Sequence, residues 1–139
     1  MNIVVDTSVW SLALRRRRAA GAAEAVELAE LVKEGRAALL GPVRQELLSG
    51  VPIARQYETL REHLSAFPDV ALESADYEDA ARFFNLCRAR GIQGSNTDFL
   101  ICAAAARRQF AILTTDTDFT HLAKLLPIQL HLPRPAVSG

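Results

Sequence analysis

The sequence predicts an α/β domain built on a mainly parallel sheet of four or five strands, with helices on both faces. Three observations carry this. Short apolar runs alternate along the chain with longer stretches whose apolar residues recur at helical spacing. The apolar runs show little in–out alternation, as expected of strands covered on both faces. The strand–helix order runs from Ile3 to Leu132 without a linker, a repeat or a low-complexity stretch, apart from the arginine run Arg15 to Arg18.

Taken in order, Ile3-Val4-Val5 is a buried strand that ends on Asp6. Thr7 and Ser8 are the expected caps of a helix through Val9, Trp10, Leu12 and Ala13. Ala22, Val26, Ala29 and Val32 recur at helical spacing, and Gly35 stops that helix. Ala37 to Leu40 is a second strand. Gly41-Pro42 opens a helix carrying Val43, Glu46 and Leu47, with Pro42 where no amide hydrogen is needed, and Gly50 ends it. Pro52 starts another helix through Tyr57, Leu60 and Leu64, and Val70 to Leu72 is a third, short strand. Ser74 is the expected cap of an amphipathic helix with Tyr77, Ala80, Ala81, Phe84 and Cys87 on one face and Gly91 at its end. After the loop Gly91 to Gly94, Ser95-Asn96-Thr97-Asp98 opens an alanine-rich helix, Phe99 to Arg108. Phe110 to Leu113 is a fourth strand, a short helix follows from Asp118, and Ile128 to Leu132 is the last strand. Residues 1–133 are expected to form one domain and 134–139 a loose tail.

Composition narrows the class. The 139 residues suffice for one domain with a real core, and half are hydrophobic. No uncharged apolar run approaches the roughly 20 residues that span a bilayer. No basic segment precedes the first apolar run, so no secretory signal is expected, and a cytoplasmic location with no membrane partner follows as the expectation. Cys87 and Cys102 lie in helix-like patterns and lack the spacing of a zinc site, so both read as free buried thiols. The formal charge is zero, which does not itself favour a nucleic-acid binder, although a cleft rich in carboxylates can coexist with a basic rim.

The chemistry lies in the placement of the acids. In a parallel α/β sheet the carboxyl ends of the strands and the amino ends of the helices share one edge, where ligands bind. Asp6 terminates the first strand and Asp116 follows the fourth. Asp98 opens one helix, and Glu46 lies about one turn into another. Each acid has a plainer reading. Asp98 completes a capping box with Ser95, Glu46 suits a solvated helix face, and Asp116 and Asp118 suit a turn and a cap. Together they would repel one another, and a divalent cation with a preference for oxygen ligands would relieve that repulsion. Such an ion activates water and offsets charge on a phosphate, so phosphodiester hydrolysis is the natural use.

At these positions the chain resembles a known family. Ile3-Val4-Val5-Asp6-Thr7-Ser8-Val9-Trp10, Gly41 to Gly50 around Glu46, Asp98 to Ala105, and Ile112 to Phe119 look like the four acidic segments of PIN-domain proteins, in the right order. Short chains carrying all four are similar to VapC toxins of toxin–antitoxin pairs. The resemblance implies a Rossmann-like α/β/α sandwich and an endoribonuclease dependent on Mg2+ or Mn2+. It implies Asp6, Glu46, Asp98 and Asp116 as the catalytic and metal-binding acids. Thr7, Ser8, Thr114, Thr115 and Asp118 stand at supporting positions. The resemblance also implies an RNA substrate, a small antitoxin partner and a homodimer. A groove with Leu47, Leu48, Val51, Ile53 and Tyr57 is the expected surface for the antitoxin or the second protomer.

Other features are weaker. Arg15, Arg16, Arg17 and Arg18 suit either a phosphate-contacting rim or a solvated face. Arg107 and Arg108 suit a helix C-terminus far from the acids. His63, His121 and His131 lack ligand spacing, and Trp10 reads as core. The competing function is a non-catalytic PIN-like module that binds a metal or a protein. A receiver-type domain would want paired acids after the onset of the first strand and a lysine after the last strand, yet Lys124 precedes that strand. A haloacid-dehalogenase-type phosphatase would want an acid where Ser8 stands.

Overall fold

The computed structural model describes residues 1–15 and 22–135. At its centre is β1 (Ile3–Val5), whose three β-rich apolar residues are almost wholly removed from water. It is flanked by β2 (Ala37–Ala38) and β3 (Ala111–Leu113) in the order β2-β1-β3, and both pairings are parallel. Ile3 stands opposite Ala37 on one side and Ala111 on the other. One further parallel bridge lies beyond each edge, Leu39 to Asp69 and Ile112 to Leu130. Three of the five expected extended segments form the sheet, and the outer two are reduced to single parallel bridges, one of them at Asp69, just before the expected Val70 to Leu72. Val70 to Leu72 contributes only the Val70 amide to Leu39 O, because the chain turns at once into the next helix. Ile128 to Leu132 bridges only at Leu130. Pro68 and Pro127, which lack an amide hydrogen, precede these two segments.

The helices are α1 (Thr7–Arg15), α2 (Ala23–Lys33), α3 (Gly41–Ser49), α4 (Ala54–Leu64), α5 (Ser74–Ala89), α6 (Asn96–Arg108) and α7 (Asp118–Leu125). The step from β1 to β2 and the later step from β2 across β1 to β3 run in opposite directions. Right-handed crossovers then put α1 and α2 on one face and α5 and α6 on the other. Three of the four alanines of α6, Ala103, Ala104 and Ala105, are fully buried. Their small side chains let α6 lie close to its neighbours. Gly35, at φ +68°, closes α2, with the Arg36 amide returning to Leu31 O.

Two helix faces differ from the pattern expected of them. In α2 the buried residues are Ala25, Glu27, Leu28 and Leu31, while Val26 and Val32 are exposed. The leucine face buries more apolar surface than the valine face, so it turns inward. In α5, Tyr77 is 55% exposed, and the inward residues are Asp76, Ala80 and Cys87. Glu73, not Ser74, precedes the first turn of α5, and its amide donates to Asp76 Oδ2 at 2.8 Å. Leu47, expected on an open groove, is fully buried. Cys87 and Cys102 are free and buried, and Trp10 is in the core, with its Nε1 donating to Val5 O.

Charged anchors hold the periphery. Arg44 of α3 donates to Asp69 at 2.8 Å, to Leu64 O at 2.9 Å and to Phe67 O, which ties the outer extended segment to α3. Glu27 is buried and accepts from His131 and from Arg134 Nε. Burial pushes the Glu27 carboxyl up, but these donors outweigh it and the net shift is downward. Arg134 also pairs with Glu34 at 2.7 Å, so the tail expected to be loose from residue 134 is fastened at its first residue. Residues 136–139 of that tail lie outside the described residues.

The strongest anchor is Asp76, which has no exposed surface. Arg108 Nη1 and Arg107 Nη1 each donate to its Oδ1 at 2.8 Å, and Arg108 Nη2 donates to its Oδ2 at 3.0 Å. Arg108 foremost, then the Glu73 amide and Arg107, hold this carboxyl well below the usual carboxylate range. Replacing Asp76 by Asn leaves two guanidinium groups beside a neutral partner. We expect a loss of about 3 kcal/mol near neutral pH, the scale for breaking a buried ion pair. A depressed pKa gives stability that is present above the unfolded-state value, about 3.9 for Asp, and lost as pH falls through the folded-state value. Urea melts should therefore show a wide gap between wild type and Asp76→Asn at pH 7 that narrows steadily below about pH 4. A gap that does not depend on pH would contradict the ion-pair account.

Candidate active site

Asp6 is placed by the sheet itself. Its amide donates to Leu113 O at 2.9 Å, which extends the β1–β3 ladder by one residue, and its own carbonyl accepts from the Val9 and Trp10 amides as α1 begins. The side chain is thereby held between the end of β3 and the first turn of α1, and only 5% of the residue is exposed. Ser8 Oγ at 2.7 Å and Thr114 Oγ1 at 2.8 Å both donate to Asp6 Oδ2. Thr7 Oγ1 donates to Glu46 Oε2 at 2.9 Å. Thr7 and Ser8, expected as helix caps, thus direct their hydroxyls to two carboxylates. The two residues join the end of β1 to α3.

Asp116 enters through the same network. Its amide donates to Thr114 Oγ1 at 3.0 Å, the Thr115 amide donates to Ser8 Oγ at 3.2 Å, and the Asp118 amide donates to Asp116 Oδ1 at 2.9 Å. Asp98 is set by a capping box. Ser95 Oγ accepts from the Asp98 amide at 3.1 Å, and Asp98 Oδ2 accepts from the Ser95 amide at 3.0 Å. The Asp98 carboxyl is pushed up by burial, with the charges of Asp6 and Asp116 adding to the shift against the Ser95 hydrogen bonds. Its plain role as a cap and its place in the acidic cluster therefore coexist.

The charges of Asp6 and Asp116 reach Asp98, and Thr7-Ser8 links Glu46 to Asp6 by hydrogen bonds. Glu46, the sixth residue of the nine in α3, lies farther along its helix than the first turn and is exposed. The supporting positions divide. Thr7, Ser8 and Thr114 act through hydroxyls, Thr115 and Asp118 through backbone amides. Of the arginine run, Arg16, Arg17 and Arg18 lie outside the described residues, and only the place of Arg15 at the end of α1 is described. Arg107 and Arg108 end α6 roughly 15 Å along its axis from Asp98, engaged with Asp76. Sequence reasoning gave no signal for Asp76 or Glu27, because a buried carboxylate announces itself only through partners distant in the chain.

In each of the four acids one oxygen is committed to a hydrogen bond, and among the described residues the other accepts none. These are hard oxygen donors. Among the described residues no three acidic, histidine or cysteine side chains already form a metal cage. Magnesium commonly takes one or two carboxylates and keeps several waters, so this donor set fits it without such a cage.

Comparison with known proteins identifies the family and the fold. The model of the PIN domain family matches residues 3–125. The VapC ribonuclease Mb1587 of Mycobacterium bovis and Ribonuclease VapC11 of Mycobacterium tuberculosis are each 32% identical over 131 residues, which cover 91% of this chain and 96% of theirs. Among solved structures, FitAcB from Neisseria gonorrhoeae aligns with a TM-score of 0.75 at 20% identity, covering 94% of this chain and 97% of that one. VapBC2 from Rickettsia felis, bound to a promoter DNA fragment, aligns at 0.71 and 16%, covering 94% and 98%. These two show the shared fold. With a family model spanning most of its length and curated relatives matched nearly end to end, the chain belongs to the PIN-domain family.

Proposed function

We propose that the chain is a divalent-metal-dependent endoribonuclease and the toxin of a toxin–antitoxin pair. The observation that carries this reading is the hydrogen-bond network that joins Asp6 to the loop of residues 114–116 and, through Thr7-Ser8, to Glu46, together with the upward shift that burial, Asp6 and Asp116 give the Asp98 carboxyl. The ribonuclease names of the full-length relatives support the substrate class.

Asp6 with Asp98 or Asp116 would hold Mg2+ or Mn2+ directly, and Glu46 would reach it through water. When bound, the ion supplies a more acidic water and offsets charge on the phosphate and leaving oxygen. The chain's own contributions are positional. Ser8 and Thr114 fix the rotamer of Asp6, Thr7 orients Glu46, and the Ser95 amide aims Asp98. A carboxylate of the set takes the proton of the attacking water, and in-line attack then breaks the RNA phosphodiester bond.

A small antitoxin and a second protomer complete the reading. A groove between the end of α1 and α4, lined by Leu14, Val51 and Leu60 with Arg55 and His63 at its rim, offers the apolar surface that a partner helix needs. VapBC-5 from Mycobacterium tuberculosis, a toxin–antitoxin system by its description, aligns with a TM-score of 0.65.

Asp6→Asn and Asp98→Asn keep side-chain size and remove charge. We expect each to reduce Mg2+-dependent cleavage of a transfer and ribosomal RNA panel by at least about 100-fold, the scale for losing a group that acts in the transition state. In metal-free buffer the Asp98→Asn protein should melt at or above the wild-type temperature, because repulsion among the acids is relieved. Near wild-type cleavage by both variants would place the site elsewhere. Metal-dependent stabilisation of a wild-type chain that cleaves no RNA would assign a non-catalytic metal-binding module.

Purification from the native host should bring down a small protein in a stable complex, and Leu60→Glu should abolish it while leaving RNA cleavage intact. Size-exclusion chromatography with light scattering reads both the complex and the dimer. A complex that survives Leu60→Glu would exclude the α1–α4 groove as the partner surface.

A further inference from the structure

Tyr77 is an aromatic residue that the fold does not use. It is 55% exposed, and among the described residues its side chain has no hydrogen bond and no ring partner, whereas Phe84 and Phe99 pack edge to face at 5.5 Å. Tyr77 forms a wall of a pocket of about 410 Å³ between α5 and the start of α6. Phe84 and Phe99 give the pocket an apolar lining, and Asn85, Asn96 and Thr97 supply its polar groups. None of the ten lining residues is charged, in contrast to the α1–α4 groove with Arg55. The Asn85 and Asn96 side chains make no hydrogen bond to any described residue and are exposed.

The pocket adjoins the acids. Asn96 and Thr97 immediately precede Asp98 in α6. A Cβ placed on Gly94 would lie 3.1 Å from the Phe99 ring and 3.7 Å from Asp98 Oδ2, so the pocket lining and the carboxylate both approach one point on the backbone. A nucleotide carries its base one sugar away from its phosphate. With a phosphate at the acids, an adjoining neutral pocket with an aromatic wall and free amides suits a base and not a second phosphate. Aromatic faces stack bases, and an amide offers the paired donor and acceptor that reads a base edge.

We propose that this pocket binds one unpaired nucleobase of the RNA beside the cleaved phosphodiester, with Tyr77 stacking on it and Asn85 and Asn96 reading its edge. The inference rests on the ribonuclease reading above, and binding and cleavage are measured separately to keep the two distinguishable. Fluorescence anisotropy with labelled A8, C8 and U8 oligoribonucleotides and a G-containing octamer, in calcium to avoid turnover, reads base preference in wild type and variants. Mapping of cut ends in magnesium reads the same preference during cleavage.

Wild type should favour one base. Tyr77→Ala should weaken the favoured oligomer about tenfold or more and the others much less, Tyr77→Phe should retain the preference, and Asn85→Ala should alter which base is favoured. Because Tyr77 and Asn85 are exposed, circular dichroism melts of these variants should match wild type. A wild type with no base preference, or a Tyr77→Ala protein with the wild-type preference, overturns the subsite. So does a Tyr77→Ala protein that loses only its dimer, which would make the pocket a protein interface. A Tyr77-dependent base preference in a chain that cuts no RNA upholds the subsite and overturns the ribonuclease reading alone.

Discussion

Asp6 ends a strand whose preceding residues have been taken out of water, and a carboxylate in that position must be stabilised locally or it disfavours folding by several kcal/mol. Two hydroxyls meet this demand. Ser8 is carried by α1, two residues on, and Thr114 by the end of β3, more than a hundred residues later. Both bind the same oxygen, so they fix the direction of the carboxylate and leave its other oxygen without a hydrogen bond among the described residues. The remaining parts of the site hang from this arrangement. Thr114 also receives the Asp116 amide, and Ser8 receives the Thr115 amide. The hydroxyls that hold Asp6 therefore also shape the loop that presents Asp116.

The topology explains why a chain with no local acidic motif can build an acidic centre. β1 lies between β2 and β3, so it is the strand at which successive crossovers reverse direction. A crevice opens at the carboxyl end of such a strand, because the connections on either side lead away from it. The apolar strand core supplies the low-dielectric floor that strengthens interaction among charges above it. The Asp98 shift, raised by burial and then by Asp6 and Asp116, is the electrostatic signature of that crowding.

Much of this was legible in the residues. Ile3-Val4-Val5 followed by Asp6 could be read as a buried strand ending in an acid, and Ser95 with Asp98 as a capping box, because both signals lie within a few adjacent positions. The five extended segments were also recognisable, but the lengths of the outer two were not, since pairing at a sheet edge depends on how neighbouring loops leave. Spacing alone does not choose the buried face of α2, because Val26 and Val32 satisfy the same helical periodicity as Leu28 and Leu31. The partners of Asp76 and Glu27 were invisible for a related reason. Arg107, Arg108, His131 and Arg134 lie far along the chain, and ordinary composition gives them no mark. Thr7 and Ser8 show a third limit, as the same hydroxyl can cap a helix or hold a carboxylate, and only tertiary contact decides.

The β2-β1-β3 order also governs when this molecule can become itself during synthesis. β1 is made more than a hundred residues before β3, so one of its edges stays bare until residues 111–113 have been made. Until Thr114 follows, Asp6 lacks half of its hydroxyl support. Until His131 and Arg134 follow, Glu27 lacks the partners that accompany its burial. The nascent chain thus carries Asp6, Glu46 and Asp98 before it can arrange them, and the network around Asp6 is complete only once Thr114 and Asp116 have been added. Such non-local closure couples the order of the acidic edge to the synthesis of β3 and the loop that follows it.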